Sequence, residues 1–134
     1  MNKKIMLGGL AGGLIFFLLG FVIYGVMLSS YMTAHTNQCL ALPEADLKLG
    51  VLFISNMLTS FLISLFIQHS TSVTDALSKG VLFGVLYAAG VNLNNYSMTS
   101  MYSEILVIWV DLAAFSVLSG LTALSIFLVM QKVK

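Results

Sequence analysis

Asp111 is the residue whose position in this sequence could do chemistry, because it is the only charged residue in the apolar stretch 105–130. The stretch is long enough to cross a bilayer as one helix. A carboxylate inside such a span costs about 3 kcal/mol on insertion scales, and intramembrane acids usually carry protons, ions or ligands. Asp111 could therefore carry a proton or a cation, or anchor a small-molecule pocket. The alternative is structural: Asp111 fixes helix register through hydrogen bonds.

Three further polar side chains are predicted to lie at the depth of Asp111, one in each of the other apolar stretches. Asp111 lies seven residues after Glu104, which is about 10 Å along a helix. Three residues that can form hydrogen bonds lie at a similar depth when their distance along the helix is counted from the same side of the membrane: Tyr24, Asn56 and Tyr87. We predict that these side chains converge with Asp111, and that at least one of them lies within hydrogen-bond reach of it.

Catalytic and metal-binding patterns are not found in the sequence. There is no Ser-His-Asp set, HExxH motif or Gly-rich phosphate loop, so no catalytic residue is predicted and enzymatic activity stays an open, less favoured alternative. His35 and Cys39 are four residues apart, but two ligands do not make a metal site. No cofactor can be named.

The composition favours an integral membrane protein. Of 134 residues, 59% are hydrophobic and 8% are charged, whereas soluble domains carry about 25% charged residues. So few charges cannot cover a soluble globule, and the lipid bilayer must solvate most of the surface. A net charge of +1 without arginine leaves no basic patch for nucleic acid. The single cysteine, Cys39, excludes an intrachain disulfide.

Four apolar stretches position these residues. They predict helices over about 5–30, 47–68, 76–93 and 105–130, forming one all-α domain over residues 1–134: an integral membrane four-helix bundle with up-down-up-down order. The first stretch follows two lysines, as in a signal peptide. It is too long for a signal sequence and lacks an Ala-x-Ala cleavage site, so we interpret it as a retained transmembrane helix.

The lysines predict the orientation. In a four-span protein, five of the six lysines lie on the side of the termini and only Lys48 lies on the other side. By the positive-inside rule, both termini face the cytoplasm, and we expect a multi-pass protein of a bacterial inner membrane.

Local signals predict how the helices begin and how they pack. Small residues at four-residue spacing on the first and third helices predict close helix crossings, with contacts expected at Gly13, Gly20, Gly80 and Gly84. Pro43, Glu44 and Asp46 predict the start of the second helix. Thr74 is the predicted N-cap of the third helix.

The last 50 or so residues carry a further pattern: Gly80-Val-Leu-Phe-Gly84-Val-Leu-Tyr87, then Asn92-Leu93-Asn94-Asn95, then Val110-Asp111-Leu112-Ala113-Ala114. This half resembles a family of small predicted bacterial membrane proteins of unknown function. The family's acidic residue in the turn is Asn92 here, and its Trp-Gly pair after the aspartate is Ala114-Phe115. The resemblance implies a four-helix layout and marks Asp111, Asn92 and Asn95 as site residues. It implies no activity.

Two functions remain open at this point. The preferred one is a membrane protein with a polar intramembrane pocket around Asp111 that binds or passes a small molecule or ion; its binding residues would be Asp111, Tyr24, Asn56, Tyr87, Asn92 and Asn95. The alternative is an accessory or assembly subunit that packs against other membrane subunits, or against a second copy, through the Gly-rich first and third helices.

Overall fold

The computed structural model describes residues 2–42 and 46–133, and four of its helices are long and apolar enough to span a membrane. The predicted all-α membrane bundle is confirmed. Its elements in chain order are α1 (Lys3–Gly20), a π-helical segment (Phe21–Met27) that continues the same span, α2 (Ser29–His35), a 3₁₀ turn (Gln38–Leu40), α3 (Leu49–Phe66), α4 (Val73–Met98) and α5 (Ile105–Lys132).

The ends of α4 differ from the prediction. It continues to Met98 instead of ending at residue 93, so Asn92 and Asn95 lie within the helix and not in a turn. Asparagines are common turn residues, but here the Asn92 side chain has partners on α5 and in the next connection, and such tertiary contacts override local propensity. The N-cap is Ser72 and not Thr74, because the Ser72 hydroxyl accepts from the Asp75 N–H at 3.1 Å.

The predicted first helix and the predicted start of the second helix also need correction. The predicted helix 5–30 changes to π-helical geometry at Phe21 and is interrupted at Leu28 before α2 begins. The predicted second helix agrees with α3 to within two residues at each end. Of the start predicted at Pro43–Asp46, residues 43–45 lie outside the described residues, and α3 begins only at Leu49.

The helix α1 lies between α3 and α5. Its face containing Gly9 and Gly13 contacts Phe61 and Met57 of α3, and its face containing Gly8 and Gly12 contacts α5 around Ile126. Two serines of α3 reach the α1 backbone directly: Ser60 donates to the Gly9 carbonyl at 2.9 Å and Ser64 to the Ile5 carbonyl at 3.0 Å. These bonds satisfy hydroxyls inside an apolar bundle and hold the α1–α3 crossing together.

The helix α4 packs mainly against α5. A Cβ atom on Gly84 would lie 2.7 Å from the Ser116 Cα atom, and one on Gly80 would lie 2.8 Å from the Ser119 carbonyl oxygen. The predicted helix contacts are thus confirmed for Gly13, Gly80 and Gly84. The packing at Gly20 is looser, since a Cβ atom added there would lie 3.7 Å from the Leu118 side chain, an ordinary van der Waals distance.

Candidate polar site around Asp111

Asp111 lies about two turns into α5, at its contact with α4, and these are the two most closely packed helices. Its carboxylate Oδ2 accepts a hydrogen bond from the Asn92 side-chain amide of α4, with a nitrogen–oxygen distance of 2.5 Å. The buried residues of α4 explain this meeting, because they recur at every fourth position and end at Asn92: Ala76, Gly80, Gly84, Ala88 and Asn92. The small residues bring the α4 backbone close to α5, and Asn92 thereby reaches Asp111.

The Asn92 amide has a second partner, Tyr102, which the sequence analysis did not identify. The Tyr102 hydroxyl donates to the Asn92 Oδ1 at 2.8 Å, and only 4% of Asn92 and 9% of Tyr102 are exposed. Tyr102 lies outside the membrane spans, in the connection between α4 and α5. Burial raises the pKa of this phenol above its usual value, and the Asp111 carboxylate raises it further. Tyr102 therefore stays a protonated donor.

A short bridge to the segment after α2 positions Tyr102. Thr36 and Tyr102 form an isolated antiparallel pair, in which the Asn37 N–H donates to the Met101 carbonyl at 2.8 Å and the Ser103 N–H donates to the His35 carbonyl at 3.0 Å. The Tyr102 ring packs in a small cluster with Val107 and Ile108 of α5. This long-range pairing is the reason that local sequence signals do not reveal the role of Tyr102.

Tyr24 is the one residue of the predicted polar layer that reaches Asp111. It lies in the π-helical segment, and its hydroxyl donates to the Asp111 backbone carbonyl at 3.4 Å. Short π-helical segments inside longer helices are frequent at functional sites. Tyr24 therefore connects the first membrane span to the Asp111–Asn92–Tyr102 chain.

Asn56 and Tyr87 are not brought to Asp111. Asn56 lies on α3, which packs mainly on α1, and its side chain has no hydrogen bond within residues 2–42 and 46–133. Tyr87 is 41% exposed and stacks with Phe83 and Phe115, with ring centroids 5.6 and 5.5 Å apart. Equal depth in the membrane does not fix the direction in which a side chain points, so the predicted convergence of all four residues is not seen.

Asn95 lies one turn beyond Asn92, near the end of α4. Its side chain contacts Tyr102, and its backbone carbonyl accepts from the Thr99 hydroxyl at 2.7 Å. Of the three residues marked by the family resemblance, Asp111 and Asn92 are therefore bonded to each other, and Asn95 lies beside Tyr102, the second partner of Asn92.

No cation compensates the Asp111 carboxylate within the described part of the chain. The ion pairs found there are Lys79 with Asp75, at 2.9 Å, and His35 with Glu104, at 3.3 Å. The Asn92 amide donates to the carboxylate and the Tyr24 phenol donates to the Asp111 backbone carbonyl, and both are neutral donors. The described residues also contain no group of three or more His, Cys, Asp or Glu side chains that could hold a metal ion.

The structure thus contains a polar cluster, built from Asp111, Asn92, Tyr102 and Tyr24, at the end of the bundle opposite the two termini; we call this end the far end. The cluster can accept a proton or offer carboxylate and phenol oxygens to a small cation. Comparisons of the chain with protein-family models, curated proteins and solved structures find no match.

Proposed function

We propose that this multi-pass membrane protein binds a proton or a small monovalent cation at Asp111, reached from the far end of the bundle. The observation that carries the proposal is a carboxylate within a membrane span whose hydrogen-bond partner is a neutral amide and which has no basic partner among the described residues. An uncompensated charge is unfavourable in this environment. Taking up a proton or a cation removes that cost, so the site has an intrinsic affinity for either.

The Asn92 amide supports reversible proton binding, because an amide can donate from one end and accept at the other. With Asp111 ionised, the Asn92 NH₂ group donates to the carboxylate and its oxygen accepts from Tyr102, as described above. With Asp111 protonated, a turned amide would accept from the carboxyl O–H and donate to the Tyr102 oxygen. In both states Asn92 therefore bonds to Asp111 and to Tyr102, and Tyr102 accepts in the second state where it donates in the first.

The position of the hydrogen-bonded side chains Tyr102 and Asn92 supports access to Asp111 from the far end. Tyr102 lies in the connection between α4 and α5, and Asn92 lies within the last two turns of α4. A proton or cation would pass these two side chains on its way to Asp111. By the distribution of lysines, we further propose that the far end faces the outside of a bacterial inner membrane and that both termini face the cytoplasm.

Infrared spectroscopy of the purified protein in lipid nanodiscs tests the proposal. The carboxyl C=O band that Asp111→Asn removes should change with pH, and adding Na⁺, K⁺ or Li⁺ at constant pH should diminish it if the cation displaces the proton. Asp75→Asn is the control, because the Asp75 carboxylate lies at the termini end of the bundle and is already paired with Lys79. An Asp111 band that responds to neither pH nor any of the three cations would contradict the proposal and favour the structural role.

The alternative of an accessory subunit that docks through its glycine faces is less favoured. Gly9 and Gly13 of α1 and Gly80 and Gly84 of α4 are buried against helices of the same chain. A larger partner would have to bind elsewhere on the surface.

A further inference from the structure

A cavity of 210 Å³ opens at the termini end of the bundle, at the opposite end from Asp111. Its polar wall is formed by the start of α1, by the connection between α3 and α4, and by the end of α5: Lys4, Gln68, Ser70, Thr71 and Gln131. These side chains provide an ammonium group, two amides and two hydroxyls, all of which can donate hydrogen bonds. The described lining contains no carboxylate.

The charge around this cavity is positive. Asp75 approaches it, since its carboxylate accepts from the Thr71 N–H at 3.3 Å, but Lys79 neutralises Asp75 at 2.9 Å. Lys79 also donates to the Ser70 hydroxyl oxygen at 3.3 Å, which leaves the Ser70 proton available for another acceptor. Lys4 has no acidic partner within residues 2–42 and 46–133. Among the described residues, the cavity therefore combines one cation that has no acidic partner with several hydrogen-bond donors, a combination that suits an anion.

The remaining wall of the cavity is apolar and consists of Ile67, Phe127 and Met130. These residues lie at the ends of the membrane spans, where lipid headgroups meet the acyl chains. Basic pockets between membrane helices at this level bind phosphate-containing headgroups. An apolar wall beside a group of donors fits a phosphate that carries an apolar substituent.

We propose that this cavity is a phosphate-binding site, in which Lys4 pairs with the anion and the Ser70, Thr71, Gln68 and Gln131 side chains donate to its oxygens. An anionic phospholipid and free inorganic phosphate offer the same chemistry. The apolar wall favours the lipid as the source.

Native mass spectrometry of the full chain, released from detergent after incubation with phosphatidylglycerol or phosphatidylcholine, distinguishes specific from general binding. The wild type should retain phosphatidylglycerol in preference to phosphatidylcholine. Lys4→Gln should lower that retention about fivefold, the contribution typical of one interfacial lysine. Lys4→Arg should preserve it. Lys132→Gln is the matched control, because Lys132 carries the same charge at the same end of the bundle but does not line the cavity.

A parallel arm uses inorganic phosphate without lipid and records the melting temperature. Stabilisation that Lys4→Gln abolishes and Lys132→Gln preserves would support the site with a soluble ligand, whereas an effect limited to phosphatidylglycerol would support it with a lipid ligand. Equal losses in both lysine variants, or no loss in either, would overturn the proposal. If Lys4→Gln does not fold, Thr71→Val removes one donor and should lower retention, while the exposed Thr74→Val should not.

Discussion

The Tyr102 hydroxyl and the Asn92 Oδ1 are 2.8 Å apart, and the other end of the same amide contacts the Asp111 carboxylate. One side chain thus joins α4, α5 and the connection between them. Because Asn92 is buried, loss of any member leaves a polar group without a partner in a low-dielectric environment, where that is costly. Substitutions in this chain should therefore be informative about stability as well as about function.

Asp111→Asn and Asp111→Leu should separate the charge of Asp111 from its hydrogen bonding. Asparagine is nearly isosteric, cannot ionise and still accepts from Asn92, so the variant should fold and unfold at a temperature close to that of the wild type. Leucine leaves the Asn92 amide unpaired and should lower the stability by roughly 1–3 kcal/mol. Thermal unfolding in detergent measures both. Equal stability of wild type and Asp111→Leu would show that the hydrogen bond contributes nothing to the fold.

Asn92→Ala should be destabilising because it removes the central member of the chain and leaves both Asp111 and Tyr102 without this partner. The expected loss is roughly 1–3 kcal/mol in the same unfolding assay. Asn94→Ala is the matched control, since Asn94 is an exposed asparagine of the same helix, and it should change stability by less than about 0.5 kcal/mol. Similar losses in the two variants would assign the effect to the helix and not to the polar chain.

Gly84→Leu should lower the melting temperature, because even a Cβ atom at Gly84 would lie 2.7 Å from the Ser116 Cα atom. Overpacking of this kind costs roughly 1–3 kcal/mol. Gly90 of the same helix is the control, since a Cβ atom there meets nothing within 4 Å. Gly90→Ala should even stabilise the helix, by about 0.5–1 kcal/mol. An unchanged melting temperature for Gly84→Leu would mean that α4 and α5 are not in close contact.

The orientation can be tested with Cys39, which is the only thiol in the chain and is exposed. It lies after α2, at the far end of the bundle. If the lysine distribution places the termini in the cytoplasm, a membrane-impermeant maleimide should label Cys39 in intact cells. Cys39→Ser provides the blank. Labelling that requires cell lysis, with the thiol shown to be reactive in the lysate, would reverse the orientation.

The sequence predicts the four spans and several of their contacts, because hydropathy and small-residue spacing are local properties of the chain. The burial of Gly13, Gly80 and Gly84 against neighbouring helices follows from that spacing. The four-residue spacing of the small residues Gly80, Gly84 and Ala88 on α4, continued by one more step, leads to Asn92. Asparagines favour turns by local propensity, but the tertiary partners of Asn92 keep this segment helical.

The remaining parts of the site depend on information that is not local. Asn56 and Tyr24 lie at similar predicted depths, but only Tyr24 reaches Asp111, because α5 packs more extensively on the first span than on α3. Tyr102 depends on pairing with Thr36, which lies 66 residues earlier in the chain. The π-helical segment that carries Tyr24 has no signal that a hydrophobicity pattern would reveal.

The position of α1 between α3 and α5 has a consequence for biogenesis. The helix α1 leaves the ribosome before the other three spans and contains two glycine faces, and the face around Gly8 and Gly12 is filled by α5, which is synthesised after α3 and α4. Helices that insert one by one assemble side by side afterwards. Between these events, the nascent protein contains an α1–α3 pair with one open groove. That groove would let a membrane chaperone or quality-control protease recognise a chain in which α5 has not yet been inserted.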